Sequence, residues 1–470
     1  MIKKFISQFW SAVFSYQIFR RGQYITLINL NMPNWFYIIN PWACYAKAVA
    51  HSALGDLIAA KKYSHLLITL YPFHFIKNKL AKHFGRLQPQ FVRELLSDRN
   101  ELRIAFELIN GASPLGFSLN NFKLSSFEVN VLYKNRSALK PIDRVVSINN
   151  LLQSYQCNQL EFDKSLYFKI KYSRNIIKRV EANDHIKVSI LVTAYNCGDY
   201  VKQSIESLLA QTHHNLQILI ANDASLDNTW RELKALSRKD PRLTLFNLSE
   251  NIGTYAAKSL LLKFASGEYV ICHDADDLVD PMFIQKSLSA LMQNKNKVGV
   301  ISNWFRLDED LKIFPGAVRR FWPLLSINHS SLMLSTSLLK KLGGWDVPRV
   351  AADTELFERI RAIYGNKSVL QLRIPLTIGS MRVNSLMNDK HFGSMLVPSF
   401  RRRVEYREAW VAWHIRCKKQ GIKPVMVSPF EKMRPFKIPS QFRVKPSAIL
   451  RCYEAMKASV NLPIKEGDYA

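Results

Sequence analysis

The residues most able to do chemistry form one short acidic run, His273-Asp274-Ala275-Asp276-Asp277, directly after the apolar stretch Tyr269 to Cys272. Two carboxylates at i and i+2 on a turn converge on one point, and they repel unless a divalent cation or hydroxyl groups sit between them. A metal-bound diphosphate supplies both. An acidic turn capping the next helix, from about Pro281, would equally explain Asp-x-Asp taken alone, so its neighbours must decide.

Three further stations precede it, each at the end of an apolar run. Thr193-Ala194-Tyr195-Asn196 offers backbone groups and an aromatic ring that could seat a planar base. In Asn222-Asp223-Ala224-Ser225-Leu226-Asp227, Asp223 could accept a hydrogen bond from an imide N–H such as that of uracil, while Ser225 or Asp227 caps the following helix. In Asn251-Ile252-Gly253-Thr254-Tyr255-Ala256-Ala257-Lys258 a glycine permits close backbone approach, and Lys258 follows one turn into the helix, to pair with phosphate or to sit in solvent.

The elements that must position these stations are short β-rich runs separated by amphipathic helices: Val188 to Thr193, Leu216 to Ala221, Leu243 to Leu248, Tyr269 to Cys272 and Val298 to Ser302. Such alternation argues a mostly parallel sheet with helices on both faces, right-handed crossovers and ligands beyond the carboxyl ends of the strands. Residues 1–180 read as a mostly α-helical accessory domain, with a faint tetratricopeptide-like helix pair between Trp42 and Leu70 and further helices over Phe91 to Asn110 and Pro141 to Tyr155. Its role is structural support or the binding of an acceptor or partner. Residues 388–470 read as a basic, irregular C-terminal extension with 17 Lys+Arg against 7 Asp+Glu. Its Arg401-Arg402-Arg403 cluster is either a solvated face or a contact with anionic lipid.

Taken in order, the four stations resemble the nucleotide-sugar-binding core of family 2 glycosyltransferases of the GT-A fold, over about 188–387. The resemblance maps Thr193 to Asn196 on the family's opening strand end, Asn222 to Asp227 on its Asp-Asp-x-Ser-x-Asp loop, Asn251 to Gly253 on its Asn-x-Gly turn, and Asp274 to Asp276 on its Asp-x-Asp. Downstream, Ser331 to Met333 and Leu342-Gly343-Gly344-Trp345-Asp346 look like the strand and turn that shape the acceptor side. Asp353 in Ala352-Asp353-Thr354-Glu355 falls at the family's acidic catalytic motif. Without the resemblance, Asp353 reads as a helix N-terminal acid favoured by the dipole. Two departures stand out: Asn222 replaces the usual first Asp, and Lys258-Ser259 replaces a frequent Arg-Asn pair. Asn384 stands where some relatives carry a metal-binding His, which leaves a third protein ligand open, and His329 is near only in sequence.

The resemblance implies a GT-A catalytic domain over 187–387 that moves a sugar, with inversion, from a nucleotide sugar (a UDP-sugar by the family's habit) to a hydroxyl of a glycan or lipid-linked glycan in surface polysaccharide synthesis. Asp353 would be the general base. Thr193, Ala194, Tyr195, Asn196, Asp223, Lys258, Asp274 and Ala275 would bind the donor. Asp274 and Asp276 would hold Mg²⁺ or Mn²⁺.

Composition agrees with this picture and narrows the rivals. A chain of 470 residues with 48% hydrophobic and 22% charged residues is globular in balance, so wholly disordered or collagen-like readings fail. A net charge of +29 seeks anions but does not choose among nucleic acid, an anionic membrane face and phosphorylated substrates. The basic residues are dispersed and carry no helix-turn-helix, zinc-finger or ribonucleoprotein signature, so nucleic acid is not the expected partner. Six scattered cysteines, without Cys-x-x-Cys or zinc spacing, suit reduced thiols and a cytoplasmic location. No apolar run is long enough to span a membrane. Met1 to Arg21 has an amphipathic pattern that would serve an interfacial membrane helix or an ordinary docking helix, so a peripheral contact with the inner face of an anionic membrane stays open. Two other readings keep an α/β sheet: a non-catalytic partner subunit of a glycosyltransferase complex, and a sugar nucleotidyltransferase. The latter needs a Gly-rich phosphate loop after the first strand, where this chain has Ala194-Tyr195-Asn196-Cys197-Gly198.

Overall fold

A computed structural model describes residues 19, 23–30, 40–71, 74–84, 89–96, 107, 127–166, 168–173, 183–314, 324–382, 385–386, 389–393, 397–426 and 434–461. The amphipathic start at Met1 to Arg21 (Phe19 apart), most of the Phe91–Asn110 zone and Asn384 lie outside them.

The organising element is β3 (Val188–Ala194), in which every residue but Thr193 is buried. A strand so uniformly apolar must be covered on both faces, as in parallel sheets. It pairs in parallel with β4 (Leu216–Asn222) and β6 (Tyr269–Asp274), and β4 pairs in parallel with β5 (Leu243–Asn247). Beyond β6 the short β11 (Met333–Ser335) runs antiparallel between β6 and β8 (Gly299–Leu307), and β12 (Val369–Ser380) then lies parallel to β8. The order among the described strands is β5-β4-β3-β6-β11-β8-β12-β7, with β7 at Leu278–Val279 and with β9 (Ile313–Phe314) and β10 (Ser326–Ile327) pairing with β8. A parallel half carrying the four stations, joined through an antiparallel strand to a second half, is the GT-A arrangement the sequence leads one to expect.

Alternation along β3 divides the core. Ile190 and Val192 pack with Val201, Ile205 and Leu208 of α8 (Gly198–Leu209) and with Ile284 and Leu288 of α11 (Phe283–Gln293). Leu191 faces the other way, to Leu260 and Leu261 of α10 (Thr254–Phe264), Leu356 and Ile360 of α13 (Ala352–Tyr364), and Ile449 and Cys452 of α15 (Pro446–Asn461). Each such side chain stabilises by ~1.5–3 kcal/mol on burial, so the sheet is held rigid beneath its loops.

The N-terminal elements fall into two groups. Helices α2 (Pro41–Leu54) and α3 (Leu57–Leu70) turn back on each other at Gly55 and join α4 (His74–Phe84) and α5 (Pro89–Leu95) in a core of their own. Helices α6 (Phe127–Ser137) and α7 (Pro141–Ser154) and the hairpin β1 (Leu160–Phe162) with β2 (Ile170–Tyr172) instead share the Ile190 core. The hydrophobic core therefore does not divide near residue 180. The described part of 388–470 is not irregular either. It contains α14 (Val397–Lys419), whose Tyr406, Trp410 and Trp413 build a further core with Phe436 and Phe442, as well as α15. α14 also braces the N-terminus: Glu408 accepts from Ile25 N at 2.5 Å and Thr26 Oγ1 at 3.0 Å, at the start of α1 (Tyr24–Ile28). At the other end of α1, Lys47 Nζ donates to the Ile28 and Leu30 carbonyls.

All six cysteines are buried and unpaired. No described helix is long and apolar enough to cross a membrane.

Candidate active site

The loops after β3, β4 and β5 are sewn to one another. Asn196 takes φ 45° and Ala224 φ 57°, left-handed conformations that non-glycine residues adopt only under local constraint. The constraint is reciprocal: Asn196 N donates to Ser225 Oγ at 3.0 Å, and Leu226 N to Asn196 Oδ1 at 2.9 Å. Asp227 accepts from Thr229 N, the first residue of α9 (Thr229–Ser237), and from Gly198 N at the start of α8, so it ties two helix starts together from just ahead of the N-cap, Asn228. Tyr195 is left standing at the rim, 46% exposed.

Asp223 ties two of these loops together. Its carboxylate accepts from Ile252 N at 2.8 Å, Gly253 N at 2.8 Å and Asn251 Nδ2 at 3.1 Å, folding the third station back onto the second. Three of the roughly four lone-pair positions are used, and one stays available. Burial pushes its pKa from 3.8 up to about 6 against those N–H donors and Arg349. Gly253 makes the turn at φ 79°, with the Arg349 backbone 3.5 Å from where a Cβ would stand.

At the acidic station, β6 runs on through His273 and Asp274. His273 is buried against Ser204, and burial lowers its pKa to about 4, so it is neutral. Asp274 accepts from Lys258 Nζ at 3.0 Å and Ser330 Oγ at 2.7 Å. Burial opposes its charge, but Lys258 and Ser330 hold its pKa below the ordinary value. Burial likewise opposes the Lys258 ammonium, and Asp274 more than compensates. Asp276 accepts from Arg382 Nε at 2.7 Å, while Arg382 Nη1 donates to the Asn196 carbonyl at 2.8 Å. Asp277 bonds Ser380 N, and burial with Asp276 and Asp274 raises its pKa well above the usual range. Ala275 points elsewhere: its methyl is buried in the Ile190 core.

Asp353 sits in the first turn of α13, entered through Ala351 at φ 71°, and its Oδ1 accepts from Thr354 N at 2.7 Å. Two residues on, Glu355 is fully buried and paired with Arg359 at 3.0 Å and with His414 of α14 at 3.2 Å. Arg359 also donates to the Leu342 and Gly344 carbonyls, which locks the Gly343-Gly344 turn. At Gly343 (φ 82°) a Cβ would collide with the Met426 carbonyl at 1.8 Å. Asp346 accepts from the Tyr406 hydroxyl and from Arg434, so this turn anchors the C-terminal helix.

One cleft of about 2360 Å³ brings together Thr193, Ala194, Tyr195, Asn196, Asp223, Lys258, Asp274, Asp276 and Asp353; Ala275 is not in its lining. That volume exceeds the ~300–1,000 Å³ of a single-ligand pocket and leaves room for two substrates. Its far wall includes Tyr24, Val49 and Ala53 from the N-terminal helices and Arg403 and Arg407 from α14. Sequence reasoning missed Ser330, Arg349 and Arg382. His329, read as near only along the chain, lines the cleft beside Phe357.

Among the described residues no three His, Cys, Asp or Glu side chains gather into a metal cage. The donor set nevertheless fits a hard divalent ion. Mg²⁺-like ions use one or two carboxylates and complete their shell with water and phosphate oxygens.

The family described as Glycosyl transferase family 2 matches residues 189–352. That stretch is a family 2 glycosyltransferase domain. The family 2 domain has relatives in several bacteria. The Streptococcus pneumoniae glycosyltransferase GlyG is 32% identical over 122 residues, 26% of this chain and 40% of that protein. The Escherichia coli UDP-Glc:α-D-GlcNAc-diphosphoundecaprenol β-1,3-glucosyltransferase WfaP is 38% identical over 90 residues, 19% of this chain and 35% of that protein. The chain thus spans well under half the length of these relatives. The Staphylococcus aureus TarS fragment 1–349 in complex with UDP-GlcNAc is 15% identical, with 47% of this chain and 66% of that chain covered and a TM-score of 0.36, a likeness too slight to carry an argument.

Proposed function

We propose that the chain is an inverting, metal-dependent glycosyltransferase that moves a sugar from a UDP-sugar to a hydroxyl of a glycan or lipid-linked glycan in surface polysaccharide synthesis. The observation that carries this reading is the meeting of Lys258, Asp274, Asp276 and Asp353 in one cleft with the three stitched loops. The UDP donor is supported by the free acceptor position of Asp223, and WfaP by its name uses UDP-Glc. The catalytic unit in this reading is 187–387, with 1–180 and 388–470 as its flanking regions. Its place is the cytoplasm, with a peripheral contact to an anionic membrane face favoured by the charge of +29.

The reaction is a single displacement. The acceptor hydroxyl oxygen bonds to the anomeric carbon from the face opposite the leaving group, and the bond from that carbon to the phosphate oxygen breaks. Asp353 takes the hydroxyl proton as attack proceeds. Tyr195 offers its ring face to the uracil, and the remaining lone pair of Asp223 accepts the imide N–H. Lys258 holds positive charge beside the departing diphosphate. A divalent ion on Asp274 and Asp276 would supply Lewis-acid stabilisation of that leaving group. Arg382 must release Asp276 for this, and its other bond, to the Asn196 carbonyl, gives it a place to remain.

The test is a panel of nucleotide sugars incubated with the purified full chain and Mn²⁺ or Mg²⁺. UDP release from one of them, lost by ~10² to 10⁴ in Asp353→Asn with UDP binding intact, is the expected result. Undiminished release in that folded variant contradicts the role of Asp353.

A further inference from the structure

We propose that Arg403 and Arg349 form an anion-reading site on the Asp353 side of the cleft, so that one of the two sugars joined there carries a carboxylate or a phosphate. The inference rests on the glycosyl-transfer reading above.

Both guanidiniums meet Phe392. Arg403 Nε donates to the Phe392 carbonyl at 2.7 Å, and the Arg349 guanidinium carbon lies 5.9 Å from the centre of the Phe392 ring. The Nη groups of Arg349 go to the side chain and carbonyl of Asn251, at 2.6 Å and 3.3 Å. Every one of these hydrogen-bonding partners is neutral; among the described residues the two charges meet acids only through space, Arg349 with Asp223 and Arg403 with Asp353. Three other cations of the cleft differ: Lys258 faces Asp274, Arg382 faces Asp276 and Arg361 faces Glu358.

Arg403 is the more telling of the pair. It is half-buried in the cleft wall, and among the described residues its Nη groups form no hydrogen bond, which leaves four N–H donors in a cleft that Asp353 also lines. Asp353 itself is turned to Thr354 N. Burial disfavours the Arg403 charge, with Tyr255 and Asp353 opposing that effect. A desolvated guanidinium with no carboxylate in hydrogen-bond contact is costly unless a ligand supplies the anion. A planar fork of donors matches carboxylate and phosphate in a way a lone ammonium does not. Arg403 also comes from α14, outside the matched residues 189–352. The donor diphosphate has its own station at Lys258, Asp274 and Asp276.

The experiment measures binding to the full chain by calorimetry, with and without saturating UDP and Mn²⁺. The probes are glucose 1-phosphate and glucuronate against glucose, and UDP-glucuronate against UDP-glucose. The charged probes should bind about tenfold or more tightly than the neutral ones, Arg403→Gln should erase most of that difference and Arg403→Lys only part of it, as expected for losing a charge-assisted fork. The affinity of UDP itself should stay within about threefold in both variants. Discrimination confined to UDP-glucuronate puts the anion on the donor sugar, and discrimination among the free sugars puts it on the acceptor. Equal binding of charged and neutral probes by the wild-type chain overturns the proposal, as does a loss of UDP affinity in Arg403→Gln, which would return Arg403 to the diphosphate. Should Arg403→Gln fail to fold, the wild-type comparison and Arg403→Lys decide. A wild-type chain that binds no UDP would count against the transfer reading, while the UDP-free comparison of glucose 1-phosphate with glucose would still decide the arginine pair.

Discussion

Lys258 Nζ stands 3.0 Å from Asp274 Oδ1, its side chain 4% exposed and that of Asp274 34% exposed. The ammonium balances the acid from the protein side, and the open side of Asp274 faces the cleft. Removing it in Lys258→Met leaves a partly buried carboxylate beside Asp276 and Asp277. The expected loss is about 2 kcal/mol, below the 3–5 of a fully buried pair because Asp274 keeps some solvent. Mn²⁺ should restore more of the melting temperature in Lys258→Met than it adds to the wild type, which differential scanning calorimetry would read directly.

Arg382 competes for Asp276. Its Nε lies 2.7 Å from that carboxylate, so a metal entering without a donor must displace a cation. Arg382→Gln should tighten binding of Mn²⁺ alone by about five- to tenfold, the scale of ~1–1.4 kcal/mol. Electron paramagnetic resonance titration of free Mn²⁺ checks this, and unchanged affinity would mean that Arg382 already stands clear of the ion.

The buried Glu355 and Arg359 pair holds the Gly343-Gly344 turn against α14. Arg359→Met should cost about 3–5 kcal/mol by leaving Glu355 uncompensated, and Glu355→Met combined with Arg359→Met should recover part of that loss. Urea denaturation of the single and double variants gives the comparison.

Asp223 makes a prediction with pH. Its pKa of about 6 in the folded chain lies above the ordinary 3.8, so the folded state holds the proton more tightly than the unfolded state. Its contribution to stability is therefore greatest below about pH 4 and declines as pH rises to about 6. On the proposed reading binding runs the other way, because the charged carboxylate is a stronger acceptor for the uracil imide than the neutral acid. The affinity for UDP should fall as pH drops from 7 to 5, and a pH series of calorimetric titrations tests it.

What the sequence made legible was local. The β/α alternation, Tyr195 at a strand end, Asp274 with Asp276, and Asp353 in a helix's first turn all follow from spacing within a few residues. Ala275 was not separable from its neighbours there, since it stands in the turn after the strand, where alternation no longer tells which side chain packs into the Ile190 core. Ser330, Arg349 and Arg382 were not legible, because they reach the acidic turns only through tertiary packing; Arg382 is 106 positions from Asp276. Helix α14 was hidden by its own charge. Arg401 to Arg403 and Lys418-Lys419 mask the buried Tyr406, Trp410 and Trp413 that make it a core helix. The shared core of 127–172 with the sheet was hidden for the opposite reason, as apolar residues there match either an independent bundle or a cover for β3.

The most direct measurement is UDP binding to the full chain by calorimetry, with Mn²⁺ and with the metal chelated, in wild type and Asp276→Asn. Strong binding that needs Mn²⁺ and disappears in Asp276→Asn is the predicted result. Equal affinity under chelation, or an unaffected Asp276→Asn, would contradict the assignment of this acidic turn as the seat of a metal-held diphosphate.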